Sequence, residues 1–388
     1  MSNIPKLRFP EFTDAWEKCK LGEVARFSKG SGYSKNDLVE HGKPIILYGR
    51  LYTNYQTIID EIDTFTVEKN KSVISEGNEV LIPASGESAE EIARASAIEK
   101  SGIILGGDLN IIKILTKLSP HFLAITLSNG NQKLELSKKA QGKSVVHLRN
   151  SDLETVVLLH PTLPEQQKIG NLFKQLDRLI TLHKRKWDDV ILLKKALLQK
   201  MFPKNGSDFP EIRFPEFTDA WEKCKLGDVI IDEIKGKAKA DMLGEQSLYL
   251  DANYLNGGNE LYVNSPTDVD KNDVIILWDG SQAGTVYHGF SGALGSTFKA
   301  FRPKQSGAFL YQQLKRYQDT IYNSYRTPNI PHVIKSFTKE FNISIPNYEE
   351  QQKIGNLFKQ LDRLITLHKR QHEHYQLLKK ALLQQMFV

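Results

Sequence analysis

The side chains that could do chemistry lie in polar loops, and they are of the types that bind DNA. Residues 23–160 offer basic, aromatic, hydroxyl and imidazole groups: Lys29, Tyr33, Arg50, Tyr52, Lys143, Ser144, His147 and Arg149. Residues 206–346 offer a comparable set: Lys235, Lys237, Tyr249, Asn253, Trp278, Ser281, Gln282, Arg326, Asn329 and His332. Arg suits guanine and Asn or Gln suits adenine, while Lys and Ser mostly hold phosphate. Both sets therefore predict DNA contacts, although an ordinary polar surface explains any one residue alone.

Glycines beside these residues, such as Gly30 and Gly236, would let the backbone approach a ligand closely. Catalytic motifs do not accompany them. Residues 30–35, GSGYSK, lack the third glycine of a dinucleotide loop, and Ser85 lacks the GxSxG frame of a hydrolase. The chain has only 2 cysteines, too few for a zinc cluster. No catalytic residue, metal site or cofactor is predicted for this chain.

Two repeated blocks show how these loops must be positioned. RFPEFTDAWEKCKLG occurs at residues 8–22 and again at 213–227, and EQQKIGNLFKQLDRLITLHKR occurs at 165–185 and 350–370. The 388-residue chain is thus a tandem repeat in which each half has a constant and a variable part. His147 and His332 belong to a thin frame that the variable parts share. Identical parts suggest identical partners, and divergent parts suggest different ligands.

The second repeated block predicts a long helix in each half. Apolar residues recur there at steps of three, four or seven, as in a coiled-coil seam. The first seam is Ile169, Leu172, Leu176, Leu179, His183, Val190, Leu193 and Leu197, and the second includes Leu364 and Leu378. Much of the net charge of +6 lies in these segments, since residues 165–202 hold 9 basic and 4 acidic side chains. Each helix is the other's obvious partner, and we expect an antiparallel pair.

Short β-rich runs alternate with turn signals in both variable parts, and a helical patch follows each set of runs near residues 120–136 and 307–323. The predicted fold class is α+β: two mixed domains separated by two long antiparallel coiled-coil helices, in a pseudo-twofold tandem repeat. Predicted boundaries are 1–161 and 206–346 for the domains, and 162–205 and 347–388 for the helices. Tryptophans 16 and 221 are expected to anchor the start of each half.

The repeated RFPEFTDAWEKCKLG and EQQKIGNLFKQLDRLITLHKR blocks, in the order variable, constant, variable, constant, resemble the specificity subunit of bacterial type I restriction-modification systems. The resemblance implies two target-recognition domains that read the two halves of a split, asymmetric DNA site. It also implies helices that space the domains and dock two modification subunits and, through them, restriction subunits. Candidate docking side chains are Lys174, Arg178, Lys184, Lys359, Arg363 and Lys369.

In such systems the partner subunits carry S-adenosylmethionine, ATP and Mg, so this chain is expected to be non-catalytic and without a cofactor. No run of 18 apolar residues occurs, and no membrane contact is expected. The low cysteine count is typical of the cytoplasm. An alternative interpretation is a bivalent coiled-coil adaptor whose variable domains bind two protein ligands without reading DNA.

Overall fold

The computed structural model describes residues 4–142, 144–204 and 206–387, and it divides the chain into two compact units. The first unit comprises residues up to His183 together with Arg370 onward, and the second is Lys184–Lys369. Each unit contains one α+β domain and a part of both long helices. No helix among the described residues is long and apolar enough to cross a membrane.

The domain of the first unit is built from short strands and short helices. Its strands are β1 (Glu17–Lys20), β2 (Ala25–Lys29), β3 (Leu38–Val39), β4 (Lys43–Ile46), β5 (Ile58–Ile59), β6 (Phe65–Thr66), β7 (Ile74–Glu76), β8 (Glu79–Pro83), β9 (Ser85–Gly86), β10 (Ser96–Ile98), β11 (Ser101–Leu105), β12 (Leu109–Ile114), β13 (Val146–His147) and β14 (Val157–His160). Its helices are α1 (Leu21–Val24), α2 (Arg50–Thr53), α3 (Ala89–Ile92), α4 (Pro120–Leu127), α5 (Gly130–Lys139) and α6 (Asn150–Glu154). The helical patch expected near residues 120–136 corresponds here to α4 and α5.

Ten of these strands form two five-stranded sheets, in the orders β2-β12-β8-β10-β5 and β3-β6-β4-β11-β7, and the other four pair as β1-β14 and β13-β9. The first sheet packs its apolar residues against α4, because β8 and α4 are almost entirely apolar and both are buried. The sequence of a strand that is buried on both faces is a continuous apolar run and does not alternate between apolar and polar residues. That core fixes the ends of β8 and β2, where the candidate DNA-binding loops begin.

The domain of the second unit repeats the plan with fewer strands. Its elements are β15 (Glu222–Lys225), β16 (Ile230–Lys235), β17 (Leu243–Leu250), β18 (Tyr262–Val263), β19 (Val274–Leu277), β20 (Val286–His288), β21 (Ala293–Leu294), β22 (Phe298–Pro303) and β23 (Asn342–Ile345), with α8 (Ala252–Leu255), α9 (Gly307–Arg316), α10 (Gln318–Ser324) and α11 (Phe337–Glu340). The sheets are β16-β22-β19-β20 and β18-β17-β21. Since β19 is the counterpart of β8, both domains build their first sheet around one buried strand.

Two long helices complete the units, α7 (Leu163–Lys200) with 38 residues and α12 (Tyr348–Met386) with 39. Within each unit they run antiparallel. In the first unit the His183 ring stacks on Tyr375 with 5.6 Å between ring centroids, and the Lys379 ammonium donates to the Asp177 carboxylate over 2.5 Å. In the second unit the equivalent Lys194 donates to Asp362 over 2.6 Å. The predicted helices and their antiparallel pairing are confirmed.

One part of the predicted seam is wrong. Leu193, Leu364 and Leu378 were expected between the helices, but they are 49%, 41% and 37% exposed. The apolar stripe is wider than one helix partner can cover, and the side chains nearest the domains are buried first. Apolar side chains are therefore left on the outer surface of both helices.

The repeated N-terminal block makes the same contacts in both units. Arg8 forms a two-pronged ion pair with the buried Glu165, with nitrogen to oxygen distances of 2.6 and 2.7 Å. Arg213 pairs with Glu350 in the same way over 2.8 Å. Arg fits a carboxylate with two parallel hydrogen bonds, which fixes the block against the start of each helix. The repeat thus encodes a scaffold rather than a ligand site.

The two tryptophans confirm this role. Trp16 is 3% exposed and packs edge-on against Phe122, with ring centroids 5.6 Å apart. Trp221 is 2% exposed and meets Phe309 at the same separation. Each ring joins its N-terminal block to a domain helix and to the long-helix residues of the same unit. Both tryptophans are therefore the apolar anchors expected from the sequence.

Candidate nucleic-acid interface

Residues 141–142 and 144–147 belong to a closed hairpin, here called the first hairpin, which pairs with β9 of the first domain. Its residue 143 is outside the described residues, so the predicted Lys143 contact has no structural account. Gln141 and His147 exchange both backbone hydrogen bonds, over 3.0 and 2.8 Å. Gly142 has φ +134°, and a Cβ there would lie 2.0 Å from the Val145 carbonyl oxygen. Only glycine fits this turn.

The second hairpin, residues 326–332, occupies the same place in the second domain. The Thr327 N–H donates to the His332 carbonyl oxygen over 3.0 Å, and the Thr327 hydroxyl accepts from the His332 N–H over 3.2 Å. A side-chain oxygen thus helps to close this hairpin, whereas the first one is closed by backbone groups alone. The two loops share a position but differ in how they are built.

Equivalent register confirms the thin frame predicted from the sequence. His147 lies opposite Ser85 in the pairing of β13 with β9, and His332 lies opposite Asp279 in an isolated bridge. The residue after each histidine donates its N–H to a carbonyl oxygen directly past the buried strand. Leu148 donates to Ala84 over 3.0 Å, and Val333 donates to Trp278 over 2.9 Å. Both hairpins are therefore docked on the end of β8 or β19 in one register, with different side chains opposite the histidine.

Lys29 and Lys235 end the strands β2 and β16, and both are exposed. The glycine that follows each lysine is required by the chain itself, because a Cβ on Gly30 or Gly236 would lie 1.8 or 2.0 Å from a backbone carbonyl oxygen. Close packing of the backbone thus explains both glycines without a ligand, and their predicted approach to a ligand stays a prediction. The pKa of Lys29 is lowered, because desolvation of its ammonium outweighs the opposing effect of the nearby Asp108 carboxylate.

Asp108 also connects this lysine to the first hairpin. Its carboxylate accepts a hydrogen bond from the Ser85 hydroxyl over 3.0 Å, directly opposite His147. In the second domain Lys299 lies over the Trp278 ring, with its nitrogen 3.7 Å from the ring centroid. Cationic groups thus stand beside both hairpins, although they come from different parts of the sequence.

Arg326 positions a loop rather than presenting a free guanidinium. It donates to the carbonyl oxygens of Tyr322 over 3.0 Å and Ser281 over 3.1 Å, and it lies over the Tyr322 ring. Ser281 and Gln282 are exposed on the loop that it holds, and Asn329 is exposed on the hairpin. The structure therefore brings Ser281, Gln282, Arg326, Asn329 and His332 together. Trp278, by contrast, is 8% exposed and packs in the core of the domain, so its predicted role as an accessible DNA contact needs correction.

Several candidate DNA-binding side chains of the first domain form hydrogen bonds within that domain. Tyr33 is 7% exposed, and its hydroxyl accepts the Lys69 N–H over 2.7 Å. Arg50 donates to the Glu61 carbonyl oxygen over 2.7 Å and pairs with Asp63. The Tyr52 hydroxyl donates to the Ser85 carbonyl oxygen over 2.8 Å, and burial raises its pKa to about 12. Long polar loops need such internal partners for their backbone groups. These three side chains therefore stabilise the loops and are not available to contact DNA directly.

Tyr249 needs the same correction, because it is 8% exposed and packs against Ala238, Val263 and Ala293. Burial raises the pKa of its hydroxyl. The remaining candidates are exposed and stay predictions: Ser144, His147, Arg149, Lys237 and Asn253.

Arg94 was missed by the sequence reasoning. Its guanidinium lies 5.3 and 5.4 Å from the ring centroids of Tyr52 and Tyr55, and it donates to the Leu51 carbonyl oxygen over 3.0 Å. With Lys133 and Lys379 it lines a cavity of about 230 Å³. These residues are far apart in the sequence, and no local motif marks them.

The candidate docking side chains fall into two groups. Arg178, Lys359, Arg363 and Lys369 are exposed, and Lys184 is exposed while pairing with Asp188 one turn along its helix. Lys174 is half-buried and donates to Glu99 over 2.6 Å, and the same carboxylate contacts His121 over 2.7 Å. Lys174 is thus committed to its own domain, which contradicts its expected exposure. Among the described residues, no group of three His, Cys, Asp or Glu is placed to hold a metal ion.

Comparison with known proteins gives a family for this arrangement. Residues 13–192 and 218–374 match the model of the type I restriction modification DNA specificity domain. The MjaVIII type I restriction enzyme specificity subunit of Methanocaldococcus jannaschii is 30% identical over 202 residues. That match covers 49% of this chain and 47% of the relative, so it spans about half the length of that protein.

A second relative and a solved structure extend over the whole chain. The putative MjaX type I specificity subunit of the same organism is 21% identical and covers 98% of this chain and 95% of its own length. The crystal structure of the type I restriction-modification S subunit from M. genitalium has a TM-score of 0.68 at 18% identity, covering 99% of both chains. At this identity the structural likeness concerns the fold alone.

Proposed function

Because the chain belongs to the family of type I restriction-modification DNA specificity subunits, we propose that each of its domains reads one half of a bipartite DNA target. The observation that carries this proposal is the pair of hairpins on one frame. Ser85 and Asp279 lie opposite the equivalent histidines, and the hairpin residues Gln141 and Arg326 differ as well. Different side chains at one position favour two unlike half-sites, and hence an asymmetric target.

The same proposal assigns the helices to assembly. Three leucines of each unit are exposed at equivalent repeat positions: Leu182, Leu377 and Leu378 in the first unit, and Leu367, Leu192 and Leu193 in the second. Their exposed fractions are 37–68%. Single exposed leucines are ordinary, but the same set on both units supports two copies of one partner. That partner is the modification subunit, and restriction subunits join through it.

These leucines, rather than Lys174, are the stronger docking candidates, with Arg178 and Arg363 as their charged neighbours in the repeat. In this proposal the chain is non-catalytic and acts in the cytoplasm. S-adenosylmethionine, ATP and Mg belong to the partner subunits.

Binding of the assembled complex to DNA of varied sequence tests the proposal. Affinity should fall steeply with salt, since phosphate contacts release counterions, and the target should bind about a thousandfold or more tighter than other duplexes. An adaptor for two protein ligands would bind all duplexes alike. Equal affinity for all sequences would therefore contradict the proposed function.

A further inference from the structure

One aliphatic side chain is exposed at the same position of both hairpins. Val145 is 51% exposed and Ile330 is 77% exposed, and each lies two residues before the matched histidine. Ile330 is more exposed than any other large hydrophobic side chain among the described residues. The domains differ in almost every other loop residue, yet this position keeps its β-branched character.

The hairpins hold these side chains in place. In the first, the paired backbone of Gln141 and His147 closes the loop behind Val145. In the second, Pro328 and Pro331 flank the tip, and the Thr327 hydroxyl donates to the Ile330 carbonyl oxygen. Each aliphatic group therefore stands on a short loop that is closed by hydrogen bonds between its own ends.

We infer that Val145 and Ile330 are specificity-determining residues, each contacting the 5-methyl group of a thymine in its half-site. The inference rests on the proposed function. The major groove of B-DNA admits a two-stranded β-ribbon, and the thymine methyl is the apolar group that the base pairs display there. The minor groove displays no methyl group, so a contact of this kind assigns each hairpin to the major groove.

Neighbouring groups suit this placement. Asn329, next to Ile330, is exposed and carries the amide that pairs with adenine edges, and Ser144 precedes Val145. The exposed lysines Lys235 and Lys237 of the same domain can hold phosphate. Contact between an exposed aliphatic side chain and a methyl group removes apolar surface from water and so stabilises binding. Contact with phosphate does not stabilise binding in this way.

The test uses the full complex of this chain with its modification subunit and duplexes carrying its target. Each thymine is replaced in turn by deoxyuridine, which lacks only the 5-methyl group. We expect one substitution in each half-site to weaken binding about threefold to tenfold, as burial of a methyl group predicts. In the Ile330→Ala complex the second half-site should lose that sensitivity, and Val145→Ala should do the same for the first.

Matched variants make the test specific. Ile231→Ala and Val67→Ala remove aliphatic side chains that are both 67% exposed but lie outside the hairpins, so they should keep the sensitivity to deoxyuridine. Ile330→Val retains a β-branched side chain and should keep most of the sensitivity to deoxyuridine.

Three results would overturn the inference. They are half-sites without a T·A pair, equal binding of thymine and deoxyuridine duplexes, or an Ile330→Ala variant that impairs partner assembly while keeping its deoxyuridine sensitivity. The last result would assign the tip to a protein contact. A wild-type complex that shows no sequence preference at all would instead contradict the proposed function, and the inference with it.

Discussion

The Arg326 guanidinium donates a hydrogen bond to the Ser281 carbonyl oxygen over 3.1 Å, so a basic residue of the second hairpin holds the loop that carries Ser281 and Gln282. A guanidinium used in this way positions the side chains that recognise DNA bases and does not itself contact a base. Arg50 holds residues 56–63 of the first domain in a similar manner.

Replacing Arg326 should therefore disturb more than one base position. Arg326→Ala should weaken discrimination at several positions of the second half-site and lower the free energy of unfolding by about 2 kcal/mol, since charged hydrogen bonds to carbonyl oxygens are lost. Arg326→Lys should not restore either property, because an ammonium lacks the forked geometry. Binding to a panel of singly substituted duplexes measures the effect. Arg50→Ala is the matched control and should alter only the first half-site, whereas loss at a single base pair in Arg326→Ala would indicate a direct base contact.

Half-buried His288 should make the second unit less stable in acid. Burial is the main reason that its pKa falls to about 4, the Lys359 ammonium lowers it further and Asp273 opposes the change. The unfolded chain takes up a proton near pH 6.5, whereas the folded chain does so only near pH 4. The free energy of unfolding should therefore fall by about 2 to 3 kcal/mol as the pH drops from 8 to 4.5.

His288→Phe should remove that part of the pH dependence, because phenylalanine keeps a ring on Tyr311 and takes up no proton. Urea unfolding of the two proteins at a series of pH values checks this prediction. Equal changes in the two proteins would show that His288 is not responsible.

The exposed leucines predict the composition of the complex. Leu192→Glu in the second unit, or Leu377→Glu in the first, should each remove one of two modification subunits, because a carboxylate would be buried unpaired in the contact. The double variant should bind none. Native mass measurement gives the copy number directly. Gln199→Glu, on the same helix as Leu192 and also exposed, is the control and should keep two copies.

The scaffold could be predicted from the sequence, but much of the candidate site could not. Repetition and apolar spacing predicted the second long helix to within two residues and the first to within five, and short apolar runs between turn signals predicted β8, β12 and β19. These signals are local or repeated. The partners of Tyr33 and Arg50 are brought to them by the fold. Residue type alone therefore suggested that these side chains were available to DNA, which the structure does not bear out. Lys174 meets Glu99, 75 residues away, for the same reason.

Helix length should set the separation of the half-sites. Four residues inserted between His183 and Lys184, together with four between Lys369 and Arg370, leave the helix contacts inside each unit intact. The insertions lengthen each helix by about 6 Å, so the unread gap should grow by nearly two base pairs, at about 3.4 Å each. Selection of preferred duplexes from a library with variable gaps measures this change. An unchanged gap with full affinity would mean that these helices do not set the spacing.

The most direct test of the account is the methylome of a host that carries this chain with its modification subunit, compared with a host whose chain has residues 23–160 replaced by the region of a relative. We predict one asymmetric motif with two unlike half-sites and an unread gap, of which the exchange alters only one half-site. A continuous or palindromic motif, or a change in both half-sites at once, would contradict the account.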